Sequence, residues 1–250
     1  MNFQTRKTAI LNALNEHNSL EVKDLVALLD ASEMTVRRDL VQLAALGLLV
    51  RTRGGAMRVG ADVRPFQFAN KTAFNAHRKD YIAGLAAQEI EEGDVLFMDC
   101  GSTVFQLCEF IRGRRITVIT NSLPVVGALL GSAVTINLVG GEIDQHRQAV
   151  HGLVAEQHIA RYHANRAFIG VDGISLANGL SANSEAEAST ATAFAAYADR
   201  VYLLADSSKL ERDSYLQFAP LSLFDVLITD NEADAGVLGR YQQAGVVVMN

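Results

Sequence analysis

Seven apolar runs of strand length constrain this chain more than any other feature. They are VLFMDC at 95–100, ITVITNS at 116–122, TINLVG at 135–140, RAFIGV at 166–171, VYLLAD at 201–206, VLITD at 226–230 and a last run at 245–249. Near-continuous Val, Ile and Leu without polar alternation suits strands buried on both faces, and helix-length segments separate the runs. That succession predicts a mostly parallel α/β sheet over residues 81–250. With 49% hydrophobic residues among 250, the chain has ample material for such a core.

In open parallel sheets, ligands bind outside the carboxyl ends of the strands. This sequence gathers its polar groups there: Asp99-Cys100-Gly101-Ser102-Thr103, Thr120-Asn121-Ser122, Gly140-Gly141-Glu142, Gly170-Val171-Asp172-Gly173 and Asp206-Ser207-Ser208-Lys209. Gly101, Ser102 and Thr103, opening a helix, offer backbone N–H groups and two hydroxyls to a phosphate, helped by the helix dipole. Asp99 and Asp172 are suited to accept sugar hydroxyls, and Lys209 to neutralise a phosphate or, in another setting, to act as acid or base. Each short motif alone also reads as a helix cap. What sets them apart is that five strand ends agree.

The first 60 residues follow another pattern, three short helical periods with turn signals between them. The first runs from Thr5 to about His17 with Ile10, Leu11 and Leu14 inward. The second, from about Glu21 to Leu29, places Val22, Leu25, Val26 and Leu29 at i, i+3, i+4, i+7, with Ser19 or Leu20 at its approach. A turn at Asp30-Ala31 follows, then Ser32 as N-cap, then a helix burying Val36, Leu40 and Leu43 before Gly47 stops it. At about 100° per residue, with Val36 inward, Met34, Arg38 and Gln42 face outward while Thr35 and Arg37 flank them.

In a helix-turn-helix the start of the second helix enters the major groove, where arginine pairs bidentately with guanine. Arg38 is therefore the expected base reader, with Met34 and Gln42 beside it and Arg37 and Thr35 holding phosphates. LLVRTRGGAMRV reads as two short strands around Gly54 and Gly55, glycines that allow the positive φ of a tight turn. Arg51, Arg53 and Arg58 make this a basic wing for a phosphate or minor-groove contact. Charge agrees: the net value is −6, yet residues 34–58 hold five arginines against Asp39 alone.

The run SEMTVRRDLVQLAALGLLVRTRGGA closely resembles the N-terminal winged helix-turn-helix of the DeoR family of bacterial sugar-metabolism regulators, with Arg53 where that family usually has histidine. Phe68, Lys71, Asn75 and Lys79 before Ile82-Ala83 are similar to the family's connector, Lys71 standing where arginine is usual. DCGST, TNS, GGE, GVDGI, GLSANSEAEAS and DSSK resemble, in order, its C-terminal effector domain. The resemblance covers roughly residues 5–230. It implies an α/β fold similar to ribose-5-phosphate isomerase and CoA transferases, and an effector that is a phosphorylated sugar or sugar derivative. It also adds Glu185 and Glu187 as the family's paired glutamates, with Ser189 replacing a basic residue.

The expectation is thus a sequence-specific regulator, a repressor of a sugar-catabolism operon relieved by a phosphorylated sugar. Its domains are expected at 1–60, 61–80 (a connector) and 81–250. The effector residues are Asp99, Gly101, Ser102, Thr103, Thr120, Asn121, Ser122, Gly140, Gly141, Asp172, Gly173, Glu185 and Lys209. Expected partners are operator DNA, the sugar phosphate and further copies of the chain, because one small head makes few contacts unless symmetry doubles them. Two readings compete: an active sugar-phosphate isomerase with an appended DNA-binding head, using Lys209 or a strand-end carboxylate as base, and a structural nucleoid-type DNA binder.

Other chemistry finds little support. Cys100 and Cys108 make no metal-ligand pattern with the six histidines; His146 and His151, like His158 and His163, are five apart, off the i, i+4 spacing of a helical metal site, and are read as surface or subunit-contact residues. A Walker loop and a GxGxxG fingerprint are absent, so no metal and no cofactor is expected. No run approaches the roughly 20 apolar residues that span a bilayer. MNFQTRK carries no signal-peptide core, so the expected compartment is the cytoplasm, with no membrane partner.

On this reading Arg38→Ala weakens binding to a specific operator by about 1–3 kcal/mol per lost base contact, whereas Arg53→Ala weakens binding to any duplex evenly. Titrating both variants on operator and scrambled duplexes checks it. Equal losses on the two duplexes for Arg38→Ala would remove that residue as a base reader.

Overall fold

A computed structural model describes residues 3–17, 19–29, 31–45, 48–51, 54–58, 68, 72 and 74–250. Asp30, Gly47, Arg53 and Lys71 lie outside the described residues, as do the side chains of Arg51 and Arg58. The chain divides into two compact units, Met1–Pro65 and Phe66–Asn250.

The first unit contains α1 (Phe3–His17), β1 (Ser19–Glu21), α2 (Val22–Leu29), α3 (Glu33–Ala45), β2 (Leu49–Arg51) and β3 (Gly55–Arg58). Ile10, Leu14, Val22, Leu25, Leu29, Val36, Leu40 and Leu43 form its core. Leu11 and Val26, expected inward, are only half-buried. The buried line of α1 runs instead through Arg6, Ile10 and Leu14 at i, i+4 spacing. Arg6 is admitted there because Asp39, itself 1% exposed, meets its guanidinium: Nε donates to Oδ2 at 2.6 Å and Nη2 to Oδ1 at 3.1 Å. The single acid of residues 34–58 is thereby withdrawn from the surface of α3.

The three strands form an antiparallel sheet in the order β1-β3-β2, with Leu49 opposite Arg58 and Ser19 opposite Met57. The segment Ser19–Glu21, read from sequence as an approach to α2, is therefore a third strand; three residues are too few for periodicity to reveal. The glycine expectation also needs correcting. Gly55 does not have positive φ. Gly55 is required because β1 passes so close that an added Cβ would lie 1.9 Å from the Leu20 carbonyl oxygen, whereas a Cβ at Gly54 would meet open space.

The second unit contains α4 (Ala76–Gln88), β4 (Val95–Met98), α5 (Ser102–Ile111), β5 (Thr117–Thr120), α6 (Leu123–Leu129) and β6 (Thr135–Leu138). The hairpin β7 (Glu142–Asp144) and β8 (Ala149–His151) follows, then α7 (Leu153–Ile159), β9 (Ala164–Gly170), β10 (Gly173–Ser175), β11 (Gly179–Ala182) and α8 (Glu185–Ala196). The unit ends with β12 (Ala198–Leu204), β13 (Leu216–Ala219), β14 (Val226–Ile228), α9 (Ala235–Gln243) and β15 (Val247–Met249). All seven expected runs enter one sheet, order β15-β14-β12-β9-β4-β5-β6, and every pairing in it is parallel. β9 and β12 begin earlier than their apolar runs, because their first turns of chain carry exposed polar residues such as Asn165 and Asp199.

Both faces of the sheet are covered, as its unalternated strands require. Met98, Val118 and Phe168 pack against Ile82 of α4, Leu107 of α5 and Leu129 of α6. Phe97, Ile119 and Ile169 pack the other way, against Ile159 of α7, Phe194 of α8 and Tyr241 of α9. Sheet order grows from β4 toward β6 on one side and from β9 toward β15 on the other, so the direction reverses between β4 and β9. That switch point is where an open α/β sheet leaves a crevice. A small antiparallel sheet, β10-β11-β13, lies outside the main one.

Gly55→Ala is expected to destabilise the first unit by about 1–3 kcal/mol through the forced clash with β1, and Gly54→Ala to stay within about 0.5 kcal/mol of wild type. Thermal unfolding of the two variants tests this; matching melts would mean that β1 and β3 do not approach so closely.

Candidate functional site

The crevice between β4 and β9 holds a cavity of about 440 Å³. Its floor is organised by Asp99, 8% exposed, whose Oδ1 accepts the Cys100 N–H at 2.6 Å and whose Oδ2 accepts the Gly170 N–H at 3.1 Å. Burial raises the carboxyl pKa, and the two N–H bonds oppose that rise. The Gly170 bond ties the end of β9 to that of β4, and the Cys100 bond fixes the carboxylate at the end of its own strand.

Beside it, Gly101 is extended and gives α5 no side-chain cap. Elsewhere Ser122, Ser184 and Asp234 accept the N–H of Val125, Glu187 and Val237 and so cap α6, α8 and α9. The first turn of α5, with Ser102 and Thr103 on the cavity wall, therefore keeps its donors and positive dipole end for another acceptor. Lys209 lines the same cavity after β12, and so do Lys79 of α4, 4% exposed, and Arg212. Lys79 was expected only as a connector residue, and Arg212 carries no strand-end signal at all.

The acidic wall has its own cation. Arg147, in the turn between β7 and β8, reaches Glu187 at 2.7 Å and Asp172 at 3.8 Å, and Asp172 also accepts the Asn183 N–H at 3.1 Å. Arg147 is absent from the residues legible in sequence, since it follows no apolar run. The one signal for it is Glu187 beside Ser189, a glutamate without the basic neighbour that the family pattern supplies.

The other expected effector residues lie off the cavity. Thr120 donates to the Met98 carbonyl at 2.6 Å and accepts the Ser122 N–H at 3.0 Å. Asn121 donates to the Val150 carbonyl at 3.1 Å, which anchors the β7-β8 hairpin. Gly140 donates its N–H to His158 Nδ1 at 2.9 Å. Gly141 has φ 150° and Gly173 sits where an added Cβ would lie 2.2 Å from the Arg212 carbonyl oxygen, so both are close-approach positions. Glu185 is exposed in the first turn of α8. His151, expected at the surface or a subunit contact, is 7% exposed with Nδ1 3.0 Å from Thr190 Oγ1, because β8 packs against α8; burial lowers its pKa.

In the first unit, the outward face of α3 presents Met34, 82% exposed, with Arg38 and Gln42 also exposed. Those three side chains make no hydrogen bond or ion pair among the described residues, which leaves them available to a partner. Arg37 is held by Glu33, four residues back, at 2.7 Å. Thr35 is half-buried, with its hydroxyl 2.9 Å from Ser32 Oγ and its N–H donating to that oxygen at 3.3 Å, so its hydroxyl is engaged by the N-cap.

Comparison with known proteins places both halves. Residues 6–60 match the DeoR-like helix-turn-helix domain and residues 74–231 the DeoR C terminal sensor domain. The chain is 32% identical over 241 residues to the HTH-type transcriptional repressor GlcR of Bacillus subtilis (strain 168), covering 95% of this chain and 93% of that one. It is 33% identical over 238 residues to the lactose phosphotransferase system repressor of Streptococcus mutans serotype c, covering 94% of each. A looser likeness, TM-score 0.40 at 15% identity over 53% of this chain and 52% of the other, links it to ribose 5 phosphate isomerase A from Neisseria gonorrhoeae and carries nothing about chemistry. A helix-turn-helix domain followed by a sensor domain, matched in order and shared with repressors over nearly their whole length, makes this chain a DNA-binding transcriptional regulator that belongs to the DeoR family.

Proposed function

We propose that this regulator represses a sugar-catabolism operon and leaves its operator when a phosphorylated sugar occupies the cavity between β4 and β9. The observation that carries this reading is that the uncapped α5 N-terminus lines one cavity together with Lys79, Lys209, Asp172 and Glu187. The phosphate sits at Gly101, Ser102 and Thr103, where N–H groups and the helix dipole favour an anion, and the two lysines complement its charge. Asp172 and Glu187, steadied by Arg147, accept hydroxyls of the sugar. In the head, Arg38 with Met34 and Gln42 reads bases, while Arg37 and the wing arginines Arg51, Arg53 and Arg58 hold phosphates.

The isomerase alternative draws less support. Asp99 has both oxygens engaged by backbone donors, and the relatives above are named as repressors. Turnover of a sugar phosphate by the purified chain would revive it. Among the described residues no helix is long and apolar enough to cross a membrane, and a cytoplasmic location suits a protein that must reach operator DNA.

Ser102→Asp places a fixed negative charge where the phosphate belongs, at a helix position where aspartate is itself favourable, so the fold is retained. The variant is expected to bind operator normally and to lose its response to inducer. In the wild type the inducer weakens operator binding by roughly 5–150-fold, and operator weakens inducer binding by the same factor. Release of Ser102→Asp at the wild-type inducer concentration would put the phosphate elsewhere. We also propose a dimer or larger even oligomer, checked by light scattering; a strictly monomeric mass with operator binding retained would overturn it.

A further inference from the structure

Residues at the start of the second unit are built into the effector cavity. Phe68, Phe74 and Lys79 all line it. Phe68 packs edge-on against Phe105, ring centroids 5.0 Å apart, and the Phe105 N–H closes the first turn of α5 on the Gly101 carbonyl at 2.9 Å. Asn75 takes the left-handed conformation, φ 54° and ψ 34°, at the start of α4. It does not cap its own helix; its Nδ2 donates to Asp206 Oδ1 at 3.3 Å. Arg78 donates from Nη1 to Ser207 Oγ at 3.1 Å and from Nη2 to Glu232. Asp206 in turn accepts the Ser208 N–H at 3.0 Å, and Ser208 and Lys209 line the cavity.

Two sides of the cavity, the α5 turn and the 206–209 turn, are therefore fastened to the stretch of chain that arrives from the DNA-reading unit. We infer that this stretch is the element through which effector occupancy is transmitted: a ligand drawn in by Ser102, Thr103 and Lys209 resets the Phe68–Phe105 and Asn75–Asp206 contacts, and with them the start of α4. The inference rests on the proposed cavity ligand but assigns a role to Asn75 and Arg78, which do not line the cavity. They are positioning residues, and their loss is expected to separate binding from response.

The chain contains no tryptophan, so Phe74→Trp installs a lone fluorophore at the cavity mouth. The full-length variant is titrated with a panel of hexose 6-phosphates and pentose 5-phosphates, and separately with a duplex selected by the protein from random sequence. Transmission requires that the selected duplex alone change the tryptophan emission, that a scrambled duplex leave it unchanged, and that a binding sugar phosphate reverse the change. Adding Asn75→Gly keeps the left-handed backbone and removes one hydrogen bond. It is expected to lower the coupling factor, the ratio of operator Kd with and without saturating sugar phosphate, by roughly 2–10-fold while effector affinity holds. Arg78→Gln is expected to act in the same direction. An operator that binds by anisotropy yet leaves Trp emission unchanged overturns the inference, as does undiminished coupling in both variants. If no sugar phosphate of the panel binds, the proposed ligand fails, while the response of emission to operator still decides the transmission.

Discussion

The contact on which the sensor's geometry depends is the approach of the β4 and β9 carboxyl ends. A Cβ added at Gly101 would lie 3.4 Å from Gly170 Cα, and Asp99, at the end of β4, fastens the two ends by accepting the Gly170 N–H. Hydrogen bonds to a charged group contribute about 1.5–3 kcal/mol each, while desolvating the carboxylate costs several kcal/mol. The gain is geometric more than energetic. With these ends fixed, chain order reverses at the same place, β5 and β6 extending one way and β12 to β15 the other. The α5 N-terminus and the turn after β12 then open onto one crevice because topology leaves it unfilled.

The head depends on a different balance. Its total charge is unremarkable, yet Arg6 and Asp39 neutralise each other inside the unit, so the arginines that remain on α3 and the wing are not offset by Asp39. A phosphate backbone responds to that local surface rather than to the net −6 of the chain. Arg37 is partly restrained by Glu33, whereas Arg38 has no such neighbour among the described residues, which favours Arg38 for contacts that need a free guanidinium.

The sheet was legible because its inner strands are buried on both faces, and unalternated Val, Ile and Leu runs have few other uses. β1, β7 and β10 escaped because their three residues carry neither a period nor the Val, Ile and Leu run that marks β14 and β15, and Gly55 was assigned to a turn when its requirement comes from a neighbour over thirty positions away. Strand-end position found Asp99, Ser102, Thr103, Asp172 and Lys209, which do line the cavity. It also gathered Thr120, Asn121 and Ser122, whose Oγ1, Nδ2 and Oγ bond to β4, β8 and the first turn of α6. Local sequence cannot tell a strand end facing the switch point from one two strands away. Arg147 and Arg212 were invisible for the complementary reason: they come from turns outside the main sheet and meet the cavity only after the chain has folded back.

A structure of the regulator with the sugar phosphate that releases it from operator bears most directly on this account. The phosphate should lie over the first turn of α5, its oxygens about 3 Å from the N–H groups of Ser102 and Thr103, with the Lys79 or Lys209 ammonium in contact. A bound sugar phosphate anywhere else, with the crevice between β4 and β9 left to solvent, would contradict it.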